Sequence, residues 1–351
     1  MNNEDKSVTL KDVAKLVGMH QTTVSRALNP QTAHLVNEDT VKLIRDAAKS
    51  LNFEPNPIAS SLRTKKSMNI GVVVPDLRNP LFTEIVRGVQ DTLDAAGYSC
   101  FIVNTDGDIN KEVKLINSLK ARRVDGLILA TARQQSHGLD QILGDLPAVS
   151  INRTSPNTHL PSVTTDEDHG TKLAVSHLYS IGHKEIAHLA GPTWSSTGLE
   201  RANAFQREIK AVGLEFEESS VEYCEAWTIE AGKKAAKILL DRSPDITAVF
   251  AANDLIALGL YDELVERKIK CPRDLSVVGY NDIPFVDRMD PSLTTIRIPK
   301  YEIGSEASRL ILSMLVEKSN SFMRHIRLTP ELKIRHSTSA PKKLAHVWKH
   351  L

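Results

Sequence analysis

Two sets of residues in this sequence have the types and spacing for chemistry. The first is the stretch GMHQTTVSRAL, Gly18 to Leu28. Here His20, Gln21, Thr22, Thr23, Ser25 and Arg26 supply hydrogen-bond donors and acceptors between apolar residues at helical spacing. Such a face suits base edges and phosphates in a DNA major groove; it is equally the solvated face of an ordinary polar helix. The second set follows apolar runs: Asp76, Asn152 with Arg153, Asp166, Asn253 with Asp254, and Asn281 with Asp282. Amides, carboxylates and guanidiniums make paired hydrogen bonds to adjacent hydroxyls. Phe82 and Trp227 offer flat apolar faces for a sugar ring. The same polar residues also cap helices, a reading that applies most directly to Asp254 and Asp282.

Residues for catalysis are harder to find. The chain has no G-x-S-x-G, phosphate-binding loop, HExxH or dinucleotide G-x-G-x-x-G. Its twelve histidines are scattered, and His169, His183 and His188 read as helix-end or surface residues. Cys100, Cys224 and Cys271 are odd in number and far apart, without CxxC spacing. That argues against zinc and a disulfide scaffold and fits a reducing cytoplasm. No enzyme activity, metal or cofactor is expected.

The elements that must position the two sets belong to more than one domain, since 351 residues exceed one ordinary domain. Hydrophobic residues at 41% with charged residues at 25% describe a globular chain. The net charge of +1 is unevenly placed: Met1 to Lys66 holds ten Lys/Arg and seven Asp/Glu, a local +3 that leaves −2 for the remainder. A mildly basic head hints at nucleic acid. Met1 to Val8 lacks the apolar core of a signal peptide, and no run approaches the ~18 apolar residues of a membrane span.

Up to about Phe53 the sequence reads as all helix. Thr9 and Asp12 form a T-x-x-D capping box before Leu10, Val13, Ala14 and Val17, and Gly18 ends that helix. Met19, Thr23, Val24, Ala27 and Leu28 pattern a second, short helix, broken by Asn29-Pro30; Asn37 caps a third. Ala14, Gly18 and Val24 have the spacing of a helix-turn-helix, which turns His20, Gln21, Thr22, Ser25 and Arg26 outward. FEPNPIASSLRTKKSMN, Phe53 to Asn69, reads as a linker, with Ile58 to Arg63 able to form a turn and a half of helix. A helix that short is not stable alone, since isolated helices need roughly 12 or more residues. From Ile70 onward short β-branched runs (NIGVVVPD, YSCFIVN, VDGLILAT, AVSIN, KEIAHLAGP, VEYCEAW, ITAVFAAND, DLSVVGYND) alternate with amphipathic helices. Continuous apolar strands between helices predict parallel sheets covered on both faces, too many strands for one sheet, and so two similar α/β subdomains.

From Val8 to Leu62 the sequence closely resembles the LacI/GalR family of bacterial transcription regulators, through TLKDVAKLVG, TTVSRALN, AAKSLNFEPN and IASSL. The resemblance continues through NPLFTEIVRGV, GHKEIAHLAGP, AVFAANDLIALG, DLSVVGYND, SLTTIRIP and ELKIRHST. It implies a helix-turn-helix headpiece, a hinge helix, and a core like a periplasmic sugar-binding protein, acting as a homodimer. By resemblance Gln21 and Thr22 choose bases, and Thr23, Ser25, Arg26 and Asn29 touch phosphates or base edges. Leu62 is the apolar wedge that paired hinge helices insert into the minor groove; the alternative is a linker leucine buried on a neighbouring domain. Phe82, Asn152, Thr197, Arg201, Trp227, Asn253 and Asn281 match effector-contacting positions. Two departures stand out. His20 replaces the usual Ser or Thr at the helix start, so that start is less firmly capped or His20 itself reaches DNA. Asn152 and Asn281 stand where members that bind neutral sugars commonly carry aspartate. With Arg153 alongside, this predicts a ligand with negative charge, such as a phosphorylated or acidic sugar.

The expected architecture is an all-α headpiece at 7–54, a linker with hinge helix at 55–68, two doubly wound α/β subdomains at 69–340 and a tail at 341–351. The first subdomain is expected at about 69–164 and 296–323, the second at about 165–293 and 325–340. The expected function is a cytoplasmic repressor on near-palindromic double-stranded operator DNA, switched by a small sugar-like effector in the interdomain cleft. Activation or corepression within the same family, and solute binding without DNA, remain open alternatives.

Overall fold

Thr9 begins the first helix as its sequence demands: its N–H and hydroxyl both donate to Asp12 Oδ2, at 2.8 and 2.7 Å. The computed structural model describes residues 8–29, 32–53, 66–133, 138–156, 158–317 and 324–342. The chain divides into two units, Met1–Ser67 and Met68–Leu351. In the first, α1 (Leu10–Val17) ends at Gly18, whose φ of +63° suits glycine. The N–H groups of Gly18 and Met19 then close on the carbonyls of Lys15 and Ala14, satisfying the helix end. Then follow α2 (Gln21–Leu28), a 3-10 turn (Ala33–Leu35) and α3 (Glu38–Ser50), which Asn37 caps through Asp39 N–H at 2.9 Å. Val13, Ala14, Val24, Ala27, Ile44, Ala47 and Ala48 form their common core. The expected hinge helix at Ile58 to Arg63, and with it Leu62, lies outside the described residues.

The second unit holds two six-stranded sheets. One contains β1 (Asn69–Val74), β2 (Ser99–Asn104), β3 (Gly126–Leu129), β4 (Ala148–Ile151), β5 (Ser162–Thr165) and β11 (His325–Leu328), in the order β11-β5-β4-β3-β1-β2, all parallel. The other contains β6 (Ile186–Ala190), β7 (Val221–Tyr223), β8 (Ala248–Ala251), β9 (Ser276–Asn281), β10 (Thr294–Arg297) and β12 (Glu331–Lys333). Its order is β12-β10-β9-β8-β6-β7, with β12 antiparallel at the edge. Strands β3, β4, β6 and β8 are buried throughout, which is why their sequences are apolar but for Ser150 in β4 and His188 in β6. Helices α4 (Leu81–Ala95), α5 (Ile109–Ala121), α6 (Leu139–Leu143), α7 (Glu167–Ser180), α8 (Ser196–Ala211), α9 (Ile229–Arg242), α10 (Asp254–Glu266) and α11 (Lys300–Glu317) cover them.

The chain passes between the sheets three times: after β5, between β10 and β11, and between β11 and β12. The last two crossings correct the expected subdomain limits. Strand β11 pairs with β5 (His325 opposite Ser162), so 325–328 belongs to the first lobe. Strand β10 pairs with β9 as far as Arg297 opposite Asn281, so the second lobe runs past residue 293. Backbone pairing, not proximity in sequence, decides both. Helix α11 returns to the first lobe and packs on α4, where Gly88 and Gly304 let the backbones touch. A Cβ on Gly88 would fall 2.1 Å from the Tyr301 carbonyl oxygen, and one on Gly304 2.0 Å from that of Ile85. Among the described residues no helix is long and apolar enough to cross a membrane.

Candidate functional site

In the first unit α2 carries the polar stretch. Val24 and Ala27 face the core, while His20, Thr22 and Arg26 are exposed and Gln21, Thr23, Ser25 and Asn29 are half-buried. His20 is the N-cap: its Nδ1 accepts from the Thr22 backbone N–H at 3.3 Å and lies 3.0 Å from the Thr22 hydroxyl. An imidazole thus satisfies a free helix-start donor, the task usually left to Ser, Thr, Asp or Asn. At the other end the Thr32 hydroxyl donates to the Arg26 carbonyl at 3.0 Å.

In the second unit the candidate ligand residues follow strands, and the loops after β4, β6, β8 and β9 converge. After β4 the chain turns through Asn152 at φ +61°, the left-handed region that asparagine tolerates. The Ser150 hydroxyl donates to the Arg153 carbonyl at 2.6 Å, and Thr154 N–H donates to Ser196 Oγ at 3.1 Å, which ties the loop to the start of α8. The Arg153 guanidinium lies 5.2 Å from the Trp194 ring and 5.8 Å from that of Trp227. Arg133 is 4.7 Å from Trp194, and Arg201 is 5.7 Å from Trp227 and 3.7 Å from Tyr280. Trp227 lies flat on the chain after β6: a Cβ on Gly191 would fall 2.1 Å from its ring. The two buried arginines differ in their partners. Arg201 Nε donates to Glu167 Oε2 at 2.6 Å and Nη1 to the Ala252 carbonyl at 2.5 Å. Burial works against the Arg201 charge, yet Glu167 and Tyr280 hold its pKa above the ordinary value. Burial, with Arg133 and Arg201 adding repulsion, draws Arg153 down to about 9.

A sequence profile described as "Bacterial regulatory proteins, lacI family" matches residues 9–56. A second, "Periplasmic binding proteins and sugar binding domain of LacI family", matches residues 67–336. The chain belongs to the lacI family. It is 32% identical over 330 residues to the ribose operon repressor of Halalkalibacterium halodurans, covering 94% of this chain and 97% of that one. Among solved structures, the Lac repressor dimer bound to operator and the anti-inducer ONPF is 28% identical with a TM-score of 0.83, covering 95% of this chain and 100% of that one. The complex of the transcriptional regulator CelR with cellobiose is 28% identical with a TM-score of 0.72, covering 94% and 99%. As a lacI-family member this chain is a DNA-binding transcription regulator and not an enzyme.

Within that family frame the second unit brings some expected residues together and gives others different work. Arg201 and Trp227 meet in the aromatic and arginine cluster, beside Arg153. Among the described residues, Asn281, at φ +105°, has a buried Oδ1 without a hydrogen-bond partner, and Trp227 Nε1 is likewise unsatisfied. Thr197 opens α8 with its hydroxyl 2.9 Å from that of Ser195. Asn253 caps α10 through Ile256 N–H at 2.7 Å. Phe82 is 1% exposed and packs in the first lobe's core, covered as fully as Arg201 at 2%. Trp194, which sequence reasoning passed over, faces Arg153 as Trp227 does. It lies four residues past the end of β6, in the loop after that strand, whereas Asn152 follows β4 directly.

The aspartates are structural. Asp166 caps α7 through His169 N–H, and Asp282 accepts from Arg297 at 2.6 Å and Arg335 at 2.7 Å. Asp254 accepts from Thr295 Oγ1 and Ile283 N–H, and burial pushes it up to about 7. His183 is the helix-end residue expected, its N–H closing on the Leu178 carbonyl past α7, but it is buried; His188 is neither at a helix end nor on the surface but buried within β6. His183 is held by Thr247, Ser276 and the Ser339 carbonyl, and His188 stacks between Phe205 and Phe250. A separate cavity of about 670 Å3, lined by Glu84, Asp282, Arg297, Lys300 and Arg335 among others, lies outside the aromatic cluster. Lys300 reaches from it to the Asn281 and Asp282 carbonyls at 3.0 and 2.7 Å, pinning that left-handed turn.

Proposed function

We propose that this chain is a cytoplasmic, homodimeric repressor whose affinity for a near-palindromic operator is set by a small sugar-like effector. His20, Gln21, Thr22, Thr23, Ser25, Arg26 and Asn29 form the surface turned to DNA, with His20 acting chiefly as the cap that fixes the start of α2. Leu62 is the minor-groove wedge. Phe82, Asn152, Thr197, Arg201, Trp227, Asn253 and Asn281 surround the effector. The names of a ribose operon repressor and of a cellobiose-bound regulator among the relatives support a sugar-like ligand.

The observation that carries this reading is a conjunction within one chain. A helix-turn-helix presents exposed donors on α2, and the second unit holds unpartnered buried polar atoms where its strand ends converge. Effector shifts DNA affinity only by binding two states of the core unequally. The test is fluorescence anisotropy of the full chain on the DNA upstream of its own gene, with and without a sugar panel. Saturable binding that weakens steeply with salt and responds to a sugar is expected. Binding no tighter than to scrambled DNA of equal length would refute it.

A further inference from the structure

Arg153 is 5% exposed, yet among the described residues it forms no ion pair and its Nε has no hydrogen-bond partner. The other buried cations nearby are answered. Arg201 has Glu167 and the Ala252 carbonyl, and Lys300 has two carbonyls. What faces Arg153 instead is two indole rings and, as its charged neighbours, two more arginines, Arg133 and Arg201. A cation between aromatic faces recovers part of its hydration, but far less than a counter-charge does. The backbone that carries Arg153 is held by Ser150 and the left-handed Asn152, and the guanidinium packs inside against the two rings rather than in solvent.

We propose that Arg153 seats the acidic group of an anionic, hydroxyl-rich effector, a sugar acid or a sugar phosphate, between Trp194 and Trp227. This rests on the effector reading above and narrows it to a chemical class. A carboxylate or phosphate presents two oxygens that match the guanidinium fork. The indoles flank the sugar carbons, and Trp227 Nε1 and Asn281 Oδ1, both unsatisfied, take hydroxyls. Glu167, the carboxylate on the cluster, is paired with Arg201, which offsets its charge.

The test is calorimetry of the full chain with matched pairs: glucose against gluconate, glucuronate and glucose 6-phosphate, and ribose against ribose 5-phosphate. The anionic member should bind about tenfold or more tightly than its neutral partner. The acid and phosphate arms tell which oxyacid fits. Arg153→Met should abolish the preference and Arg153→Lys retain part of it. Circular dichroism checks that each variant is folded, and Arg153→Gln replaces Arg153→Met if that one is not. Neutral sugars binding as well as their anionic partners, or a preference that survives Arg153→Met, overturns the proposal while leaving the effector cleft standing. Failure of every sugar, neutral or anionic, at millimolar concentration overturns both.

Discussion

Methionine in place of Arg153 or of Arg201 should shift the melting temperature of the ligand-free core in opposite directions. Arg201→Met strands Glu167, a buried carboxylate whose Oε1 already lacks a partner. Breaking a buried pair from one side costs about 3–5 kcal/mol. Unfolding entropy of about 2.1 cal/mol/K per residue over Met68–Leu351 gives roughly 0.6 kcal/mol/K, so a fall of about 5–8 °C follows. Arg153→Met removes a charge that has no counter-charge. Its pKa drops from 12.5 to about 9, which at 1.36 kcal/mol per unit sets a ceiling of about 5 kcal/mol on the cost of that charge. Stacking on Trp194 and Trp227 returns up to about 2 kcal/mol. The net gain on substitution is then about 1–3 kcal/mol, a rise of roughly 2–5 °C. Differential scanning calorimetry at neutral pH and low salt reads both. Glu167→Gln added to Arg201→Met should recover part of the loss, because the stranded charge is gone. If Arg153→Met instead lowers the midpoint by more than about 2 °C, Arg153 has a stabilising partner and the reasoning fails.

Four further outcomes are expected. His20→Ala should cost about 0.5–1 kcal/mol of headpiece stability and weaken operator binding, whereas His20→Ser should restore both; an equal loss of affinity in the serine variant would mean that the imidazole contacts DNA. Gln21→Ala should relax discrimination at one operator position by about 1–3 kcal/mol, read by competition with single-base operator variants. Leu62→Ala should weaken the operator complex in a gel shift, and undiminished affinity would disprove the wedge. His188 is held neutral, its pKa drawn down to about 3 by burial against the Phe250 hydrogen bond. The unfolded chain therefore takes up this proton first, and stability is lost as pH falls from about 6.5 toward 3, by up to about 1.4 kcal/mol per pH unit. His188→Phe should flatten that part of a denaturation-versus-pH curve.

Strands β1 to β4 and β6 to β9 were legible, most directly where burial on both faces leaves an apolar run that no other element explains, as in β1, β3 and β8; β5, β10, β11 and β12 were not. Three helices were not legible either: the five-residue α6, α7 and α11. Helix α7 turns Glu167, Gly170 and Thr171 inward ahead of its Ala and Leu, so its buried face looks polar in sequence. Helix α11 buries Ser305 and Ser308 beside Gly304 because it lies so close to α4 that only small residues fit. Strand β11 alternates exposed and half-buried residues over HIRL, four positions that carry no apolar run, and its partner β5 is far away in sequence. That is where the expected subdomain limits went astray.

The site was legible at the level of residue type and illegible at the level of pairing. An arginine after the end of β4, and another on α8, point in sequence to a site for oxygen-rich ligands whichever partners they have. Which of the two is already neutralised depends on Glu167, 34 positions before Arg201 and on another helix. The same holds at α2. Spacing located the polar face, but only the His20 ring against Thr22 N–H shows that one of its members serves the helix itself. In both places the decisive fact is whether a polar atom is satisfied inside the chain, because an atom already bonded there gains little from a ligand and an unsatisfied buried one gains most. On the reading proposed above, that ordering puts Arg153 ahead of Arg201 for effector choice and Gln21 ahead of His20 for operator choice.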